Sequence, residues 1–281
     1  MIKTLMVNGC SWTAGNELEQ DAEFDNIIKA NGLAKQDASD AMNWNLIDIN
    51  GNPVATYDDL YNMLNWAGYL KDKIGAEELV NLSTGGGSNT RILRTTIDYV
   101  MSLTPEQCRE TMIVIGWTVS ERDEIHVSDN WQRWNATQPF AITVDRILMT
   151  DDTLIEKISK IQEDYILYIN SDYASVKRYF QQSYLLANLL ENLGIKYFFF
   201  NALPAWWRAG SLAFNVDVHK RFPDNLIWHE NQRNILSNND NMHKFINANA
   251  WPQGKYMHPL SQGHLAWANY LYMIMQERGI V

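Results

Sequence analysis

Four short, nearly uninterrupted apolar runs constrain this chain most: Thr4–Asn8, Glu78–Leu82, Met112–Ile115 and Lys196–Asn201. A run this short with no polar face reads as a strand buried on both sides. Between the runs the periodicity changes to that of a helix. Leu60, Met63, Leu64, Ala67 and Leu70 recur at helical spacing after Thr56-x-x-Asp59, a capping-box pattern, and Gly75 closes the segment. A second helix is expected from about Ser88 to about Leu103, ahead of Pro105. Helical patterning returns from about Leu154, breaks near Asn170, and runs on to Leu193, with Gly194 as its terminator. A last helix spans about Ser261 to about Arg278. Buried strands alternating with helices predict an α/β fold, a three-layer α/β/α sandwich around a central parallel sheet.

No repeat or low-complexity linker divides the chain. The expected organisation is one domain over 1–281 with long insertions at about 117–150 and 202–257. Lys and Arg total 23 against 33 Asp and Glu, a net charge of −10, which repels a polyanion; no nucleic-acid partner is expected. No apolar stretch approaches the ~18–20 residues of a membrane span, and the N-terminus lacks a signal-peptide core. The expected location is cytoplasmic in a cell, or a virion component if the source is viral. Cys10 and Cys108 have no metal or redox spacing. The histidines at 219, 229, 243, 258 and 264 share no ligand pattern, so no metal or cofactor is expected.

In an open parallel sheet, ligands bind beyond the carboxyl ends of the strands. The residues there are Gly9-Cys10-Ser11-Trp12, then Ser83-Thr84-Gly85-Gly86-Gly87-Ser88-Asn89, then Gly116-Trp117-Thr118-Val119, then Asn201-Ala202; His258-Pro259 precedes the last helix. One hydroxyl, one glycine-rich turn and one imidazole would converge at the same edge. The glycine turn lacks the Gly-Lys-Ser/Thr ending of a phosphate loop. Cys10 reads as a small buried turn residue, and Glu121 with Arg122 as an ion pair at the cleft or on the solvated surface.

These blocks resemble, in order and spacing, the SGNH (GDSL-like) hydrolase superfamily of esterases and acylhydrolases. Gly9-Cys10-Ser11 stands in place of the family's Gly-Asp-Ser. Asn81 and the run Gly85 to Gly87 match its glycine block, with Gly86 the preferred equivalent. Gly116-Trp117-Thr118-Val119 takes the place of Gly-x-Asn-Asp, with Thr118 where the family has Asn. Lys255-Tyr256-Met257-His258 keeps the His of Asp-x-x-His and has Lys255 for its Asp. The Gly-x-Ser-Trp-x-x-Gly and His-Pro-x-x-x-Gly-His variants look most like a divergent branch often met in bacteriophages.

The resemblance implies a flavodoxin-like SGNH fold and a serine esterase without cofactor, removing an O-acyl group, acetyl foremost, from a small-molecule or polysaccharide ester. Ser11 and His258 would be catalytic, and Ser11, Gly86 and Thr118 would form the oxyanion hole. His258, lacking an Asp at position 255, would work in a Ser-His dyad oriented by a backbone carbonyl, or with Asp217, Asp224 or Asp240 as substitutes. Asn89, Trp117, Trp206 and Trp207 are candidate substrate contacts; for the tryptophans, packing is an equal reading. The alternative is a non-catalytic structural or glycan-binding virion protein that keeps the fold. Homo-oligomer and virion assembly both stay open.

Overall fold

The computed structural model describes residues 1–30, 34–35, 45–47, 53–120, 122–127, 130–135, 160, 172–205 and 220–281. At its centre lie four parallel strands, β1 (Thr4–Gly9), β2 (Glu78–Asn81), β3 (Thr111–Trp117) and β4 (Lys196–Asn201), in the order β2-β1-β3-β4. These are the four apolar runs. The register sets Gly9 opposite Gly116, and Trp117 opposite Asn201, at the carboxyl edge.

Five helices matter for the site: α1 (Ser11–Ala14), α2 (Trp66–Ile74), α3 (Asn89–Met101), α4 (Asp172–Asn192) and α5 (Ser261–Glu277). On one face of the sheet Leu5, Val7, Met112, Val114, Phe198 and Phe200 pack with Trp66 and Leu70 of α2 and Trp267 and Leu271 of α5. On the other, Met6, Ile113, Ile115, Tyr197 and Phe199 pack with Ile92 of α3 and Val176, Phe180 and Leu190 of α4. Neighbouring residues of one strand belong to opposite clusters, as the two-residue period of a strand requires. The fold is therefore α/β/α. Each of these enclosed side chains contributes roughly 1.5–3 kcal/mol on leaving water.

Two helix boundaries differ from the sequence expectation. The segment before Gly75 is two helices, Tyr57–Leu64 and α2. Asn65 breaks them: its backbone is extended and its side chain accepts the Gly68 N–H at 3.0 Å. A Cβ at position 68 would stand 1.7 Å from the Asn62 carbonyl oxygen, so the break needs Gly there. Pro105 opens a further short helix, Pro105–Glu110, at its first position, behind a capping box of Thr104 and Gln107.

From the first expected insertion, strands Arg122–Val127 and Asn130–Asn135 form an antiparallel hairpin. Its base is pinned to α3 and α4. Glu124 accepts from Arg94 Nε and Nη2, at 2.8 and 3.1 Å, while Asp123 accepts from Thr90 at 2.7 Å and from Arg178. From the second, helices Pro223–Asn231 and Met242–Ala248 are described. The helical pattern expected between Leu154 and Asn170 lies outside the described residues, save position 160. Among the described residues no helix is long and apolar enough to cross a membrane.

The chain leaves β1 for β2 on one side, then crosses back to place β3 on the other. The crevice at such a reversal opens at the carboxyl ends of β1 and β3, where Ser11 and Thr118 follow their strands.

Candidate active site

The turn after β1 is built by close approach. Asn8, fully buried, has its amide nitrogen 3.1 Å from the Ile92 carbonyl and 2.8 and 3.0 Å from the Thr95 and Thr96 hydroxyls, while its Oδ1 accepts the Gly9 N–H at 2.9 Å. Cys10 is the extended N-cap of α1, and its carbonyl accepts from the N–H groups of Thr13 and Ala14, both at 2.9 Å. A Cβ at Gly9 would lie 2.2 Å from Thr13 Oγ1, and one at Gly116 2.4 Å from the same atom. The facing glycines thus let α1 settle directly on the sheet edge, with Ser11 as its first residue. The Ser11 N–H has no preceding helical carbonyl to bond and is an orphan donor of the helix start.

After α1 the chain turns back through two left-handed residues, Gly15 (φ 85°) and Glu17 (φ 72°). Gly adopts that conformation freely; Glu17 adopts it at a cost of roughly 1–3 kcal/mol, which its surroundings must offset. The offset is visible. Glu17 Oε1 accepts the Tyr256 N–H at 2.7 Å and the Gln20 amide at 3.0 Å. Oε2 accepts the His258 N–H at 3.0 Å and the His258 Nδ1–H at 2.8 Å. Burial alone would raise the carboxyl pKa. The hydrogen bonds from the Tyr256 and His258 backbone, the His258 ring and Gln20 outweigh it and hold the pKa below the usual glutamate value. Gly254 makes room: a Cβ there would stand 2.8 Å from both Glu17 Cβ and Cδ.

His258 Nε2 lies 2.8 Å from Ser11 Oγ. An ionised carboxylate only accepts, so Glu17 fixes the proton on Nδ1 and leaves Nε2 as the acceptor of the serine O–H. The expectation that His258 lacks a carboxylate is corrected here: Glu17 occupies that place, from the segment that carries Ser11. Lys255 instead faces Gln20, whose side-chain oxygen accepts the Lys255 N–H at 3.0 Å. Asp224 and Asp240 are exposed, and Asp217 lies outside the described residues. Asp21 also ties this segment to the His loop, accepting the Ser261 N–H at 2.7 Å at the start of α5.

The glycine turn docks on the serine turn. The Gly9 carbonyl accepts the Thr84 N–H at 3.2 Å, and a Cβ at Gly87 would be 2.9 Å from that same oxygen. Gly86 has φ 68° and is exposed, while Gly87 is buried. Thr118 is clamped by Asn89, whose Oδ1 accepts the Thr118 N–H at 2.9 Å and whose amide donates to the Thr118 carbonyl at 3.1 Å. Asn89 is thus committed to the backbone. Trp117 is fully enclosed, edge-on to Tyr179 and Phe199, which is a packing position. Trp206, Trp207 and Glu121 lie outside the described residues. Trp12, next to Ser11, has its ring centroid 5.2 Å from His243 and 6.2 Å from His258. Buried His264 is pushed down to about 3 by loss of solvent, with His258 adding to the shift, and stays neutral.

No sequence motif marked Glu17. It is one acidic residue among polar neighbours, and the only local hint is its place six residues after Ser11.

A family model matches residues 52–280, most of the chain; its description is a family of unknown function, DUF6071. The chain belongs to the DUF6071 family. No curated protein matches this DUF6071 sequence. Solved structures similar to it include the psychrotrophic esterase EstA from Pseudoalteromonas sp. (11% identity, 98% of this chain and 97% of that one, TM-score 0.46). The lipase Lip_vut3 from a goat rumen metagenome is another (11% identity, 97% of each chain, TM-score 0.47). The acetyl xylan esterase Est2A from Butyrivibrio proteoclasticus matches at 9% identity over 99% of this chain and 65% of that one, with TM-score 0.42. The α/β/α assignment rests on the sheet order and the two-faced core.

Proposed function

We propose that this protein is a carboxylic-ester hydrolase that works through an acyl-serine at Ser11. The observation that carries the reading is the relay Ser11 Oγ to His258 Nε2 and His258 Nδ1 to Glu17 Oε2, 2.8 Å at each step. A serine hydroxyl is a weak nucleophile until a base takes its proton. In the acylation step Ser11 Oγ attacks the ester carbonyl and its proton passes to His258 Nε2. Glu17 stabilises the imidazolium and keeps the ring oriented. The oxyanion meets the Ser11 and Gly86 N–H groups and the Thr118 hydroxyl, each well-placed donor lowering the barrier by roughly 2.7–4 kcal/mol. Collapse expels the alkoxide, which takes the proton from Nε2. Water then repeats the sequence on the acyl-enzyme, giving the acid and restoring Ser11.

O-acetylated carbohydrate is the substrate class to test first, since the block pattern resembles acylhydrolases and the chain is rich in tryptophan, with 11. The test is labelling with a fluorophosphonate, alongside hydrolysis of 4-nitrophenyl acetate and acetylated sugars. Labelling at Ser11 that Ser11→Ala abolishes, with acetate release, is the expected result. Absence of both labelling and hydrolysis would return the chain to the non-catalytic, binding alternative.

A further inference from the structure

Arg122 opens the hairpin four residues beyond Thr118, and its Nη1 donates to Thr118 Oγ1 at 3.1 Å. Thr118 is fully buried, and Asn89 fixes its backbone from both sides. The neighbouring Arg94 and Arg178 are spent on carboxylates, Glu124 and Asp123. Among the described residues the side chain of Arg122 addresses a neutral hydroxyl instead. A hydroxyl offers one proton and two lone pairs. Arg122 takes the lone-pair side, and among the described residues no acceptor receives the hydroxyl's own proton. That unspent donor lies two residues beyond Gly116, whose register partner Gly9 stands two residues before Ser11.

We propose that Arg122 is a positioning residue that locks the Thr118 hydroxyl as an oxyanion donor and polarises it. The inference rests on the ester-hydrolase reading and deepens it. A rotatable hydroxyl is a poor substitute for an amide, since it can turn away from the oxyanion. A guanidinium on its oxygen removes that freedom. The positive charge also draws density from the O–H, and hydrogen bonds assisted by charge are roughly twice as strong as neutral ones. The group would therefore act only when negative charge develops, in the transition state rather than in substrate binding.

The experiment is a double-mutant cycle on 4-nitrophenyl acetate hydrolysis, with thermal melts of every variant. Arg122→Gln should lower kcat by roughly 10–100-fold and leave KM within about twofold, since loss of a whole oxyanion donor costs ~10²–10³. Arg122→Lys, which can still donate to the hydroxyl, should recover most of that loss. In a Thr118→Val background, Arg122→Gln should change kcat by less than about twofold, because the atom it acts through is gone. An active wild type whose Arg122→Gln variant keeps its kcat, or loses equal activity with and without the Thr118 hydroxyl, overturns the inference alone. A wild type that neither hydrolyses esters nor labels at Ser11 overturns the enzymatic reading and this inference with it.

Discussion

One oxygen of Glu17 holds His258 twice: Oε2 accepts the ring Nδ1–H at 2.8 Å and the backbone N–H at 3.0 Å. The carboxylate therefore sets both the tautomer of the ring and the position of the loop that carries it. Its other oxygen takes the Tyr256 N–H, so the 256–258 turn folds around this side chain.

Glu17→Gln is expected to reduce kcat far more than it alters KM. The amide has one oxygen to offer and can present a donor to Nδ1, which favours the wrong tautomer. In serine proteases the comparable change of the orienting carboxylate to an amide lowers kcat by ~10⁴, and a fall of roughly 10²–10⁴ is expected here. Steady-state kinetics on 4-nitrophenyl acetate and the rate of fluorophosphonate labelling both measure it.

Lys255→Asp should bring no gain in kcat. A carboxylate at that position adds a negative charge near Glu17 while the Nδ1–H is already taken. A variant faster than wild type would mean that position 255, and not Glu17, is where the orienting carboxylate belongs.

Gly254→Ala is expected to destabilise the fold by about 1–3 kcal/mol, because the new Cβ would lie 2.8 Å from Glu17 Cβ and Cδ. The displaced carboxylate should also slow acylation, so urea midpoint and labelling rate should fall together. Normal labelling in a destabilised variant would uncouple Gly254 from the site.

Glu17 links stability to pH with a definite sign. Its folded pKa is held below that of the unfolded chain, ~4.3. The ionised form therefore stabilises the fold fully above the unfolded value, and that contribution fades as pH falls through the lower folded value. Urea unfolding should show a gap between wild type and Glu17→Gln at neutral pH that narrows in acid. A gap constant across the acid range would argue against this linkage.

Asn89→Ala should cost about 2 kcal/mol or more, since it strips partners from a buried N–H and a buried carbonyl of Thr118. Thr118 would then lose its fixed place, and kcat should drop with KM little changed. An equal rise in KM would instead mark Asn89 as a substrate contact.

What the sequence determined by itself is the architecture. Short apolar runs flanked by turn residues favour strands, and all four lie in one parallel sheet. The runs from Thr4, Met112 and Lys196 are almost wholly buried, whereas Glu78–Asn81 is the edge strand, exposed to half-buried, and stops one residue before Leu82. Ser88 and Gly194 marked helix ends correctly, since capping and left-handed turns are written in local residue types. Candidates at the strand ends followed from that architecture, and Ser11 and His258 do meet. The break at Asn65 was not legible, because the periodicity of Leu60 to Leu70 continues across it; the extended Asn65 backbone, its cap on the Gly68 N–H and the close approach of Gly68 to Asn62 reveal it. Glu17 was hidden for a deeper reason. Its partners Tyr256 and His258 lie some 240 residues away in the chain, and its role depends on a left-handed backbone, a missing Cβ at Gly254 and two N–H groups of a distant turn. A local pattern records none of these. Tertiary structure alone decided which carboxylate meets His258, because a hydrogen bond depends on distance in space and not on spacing along the chain.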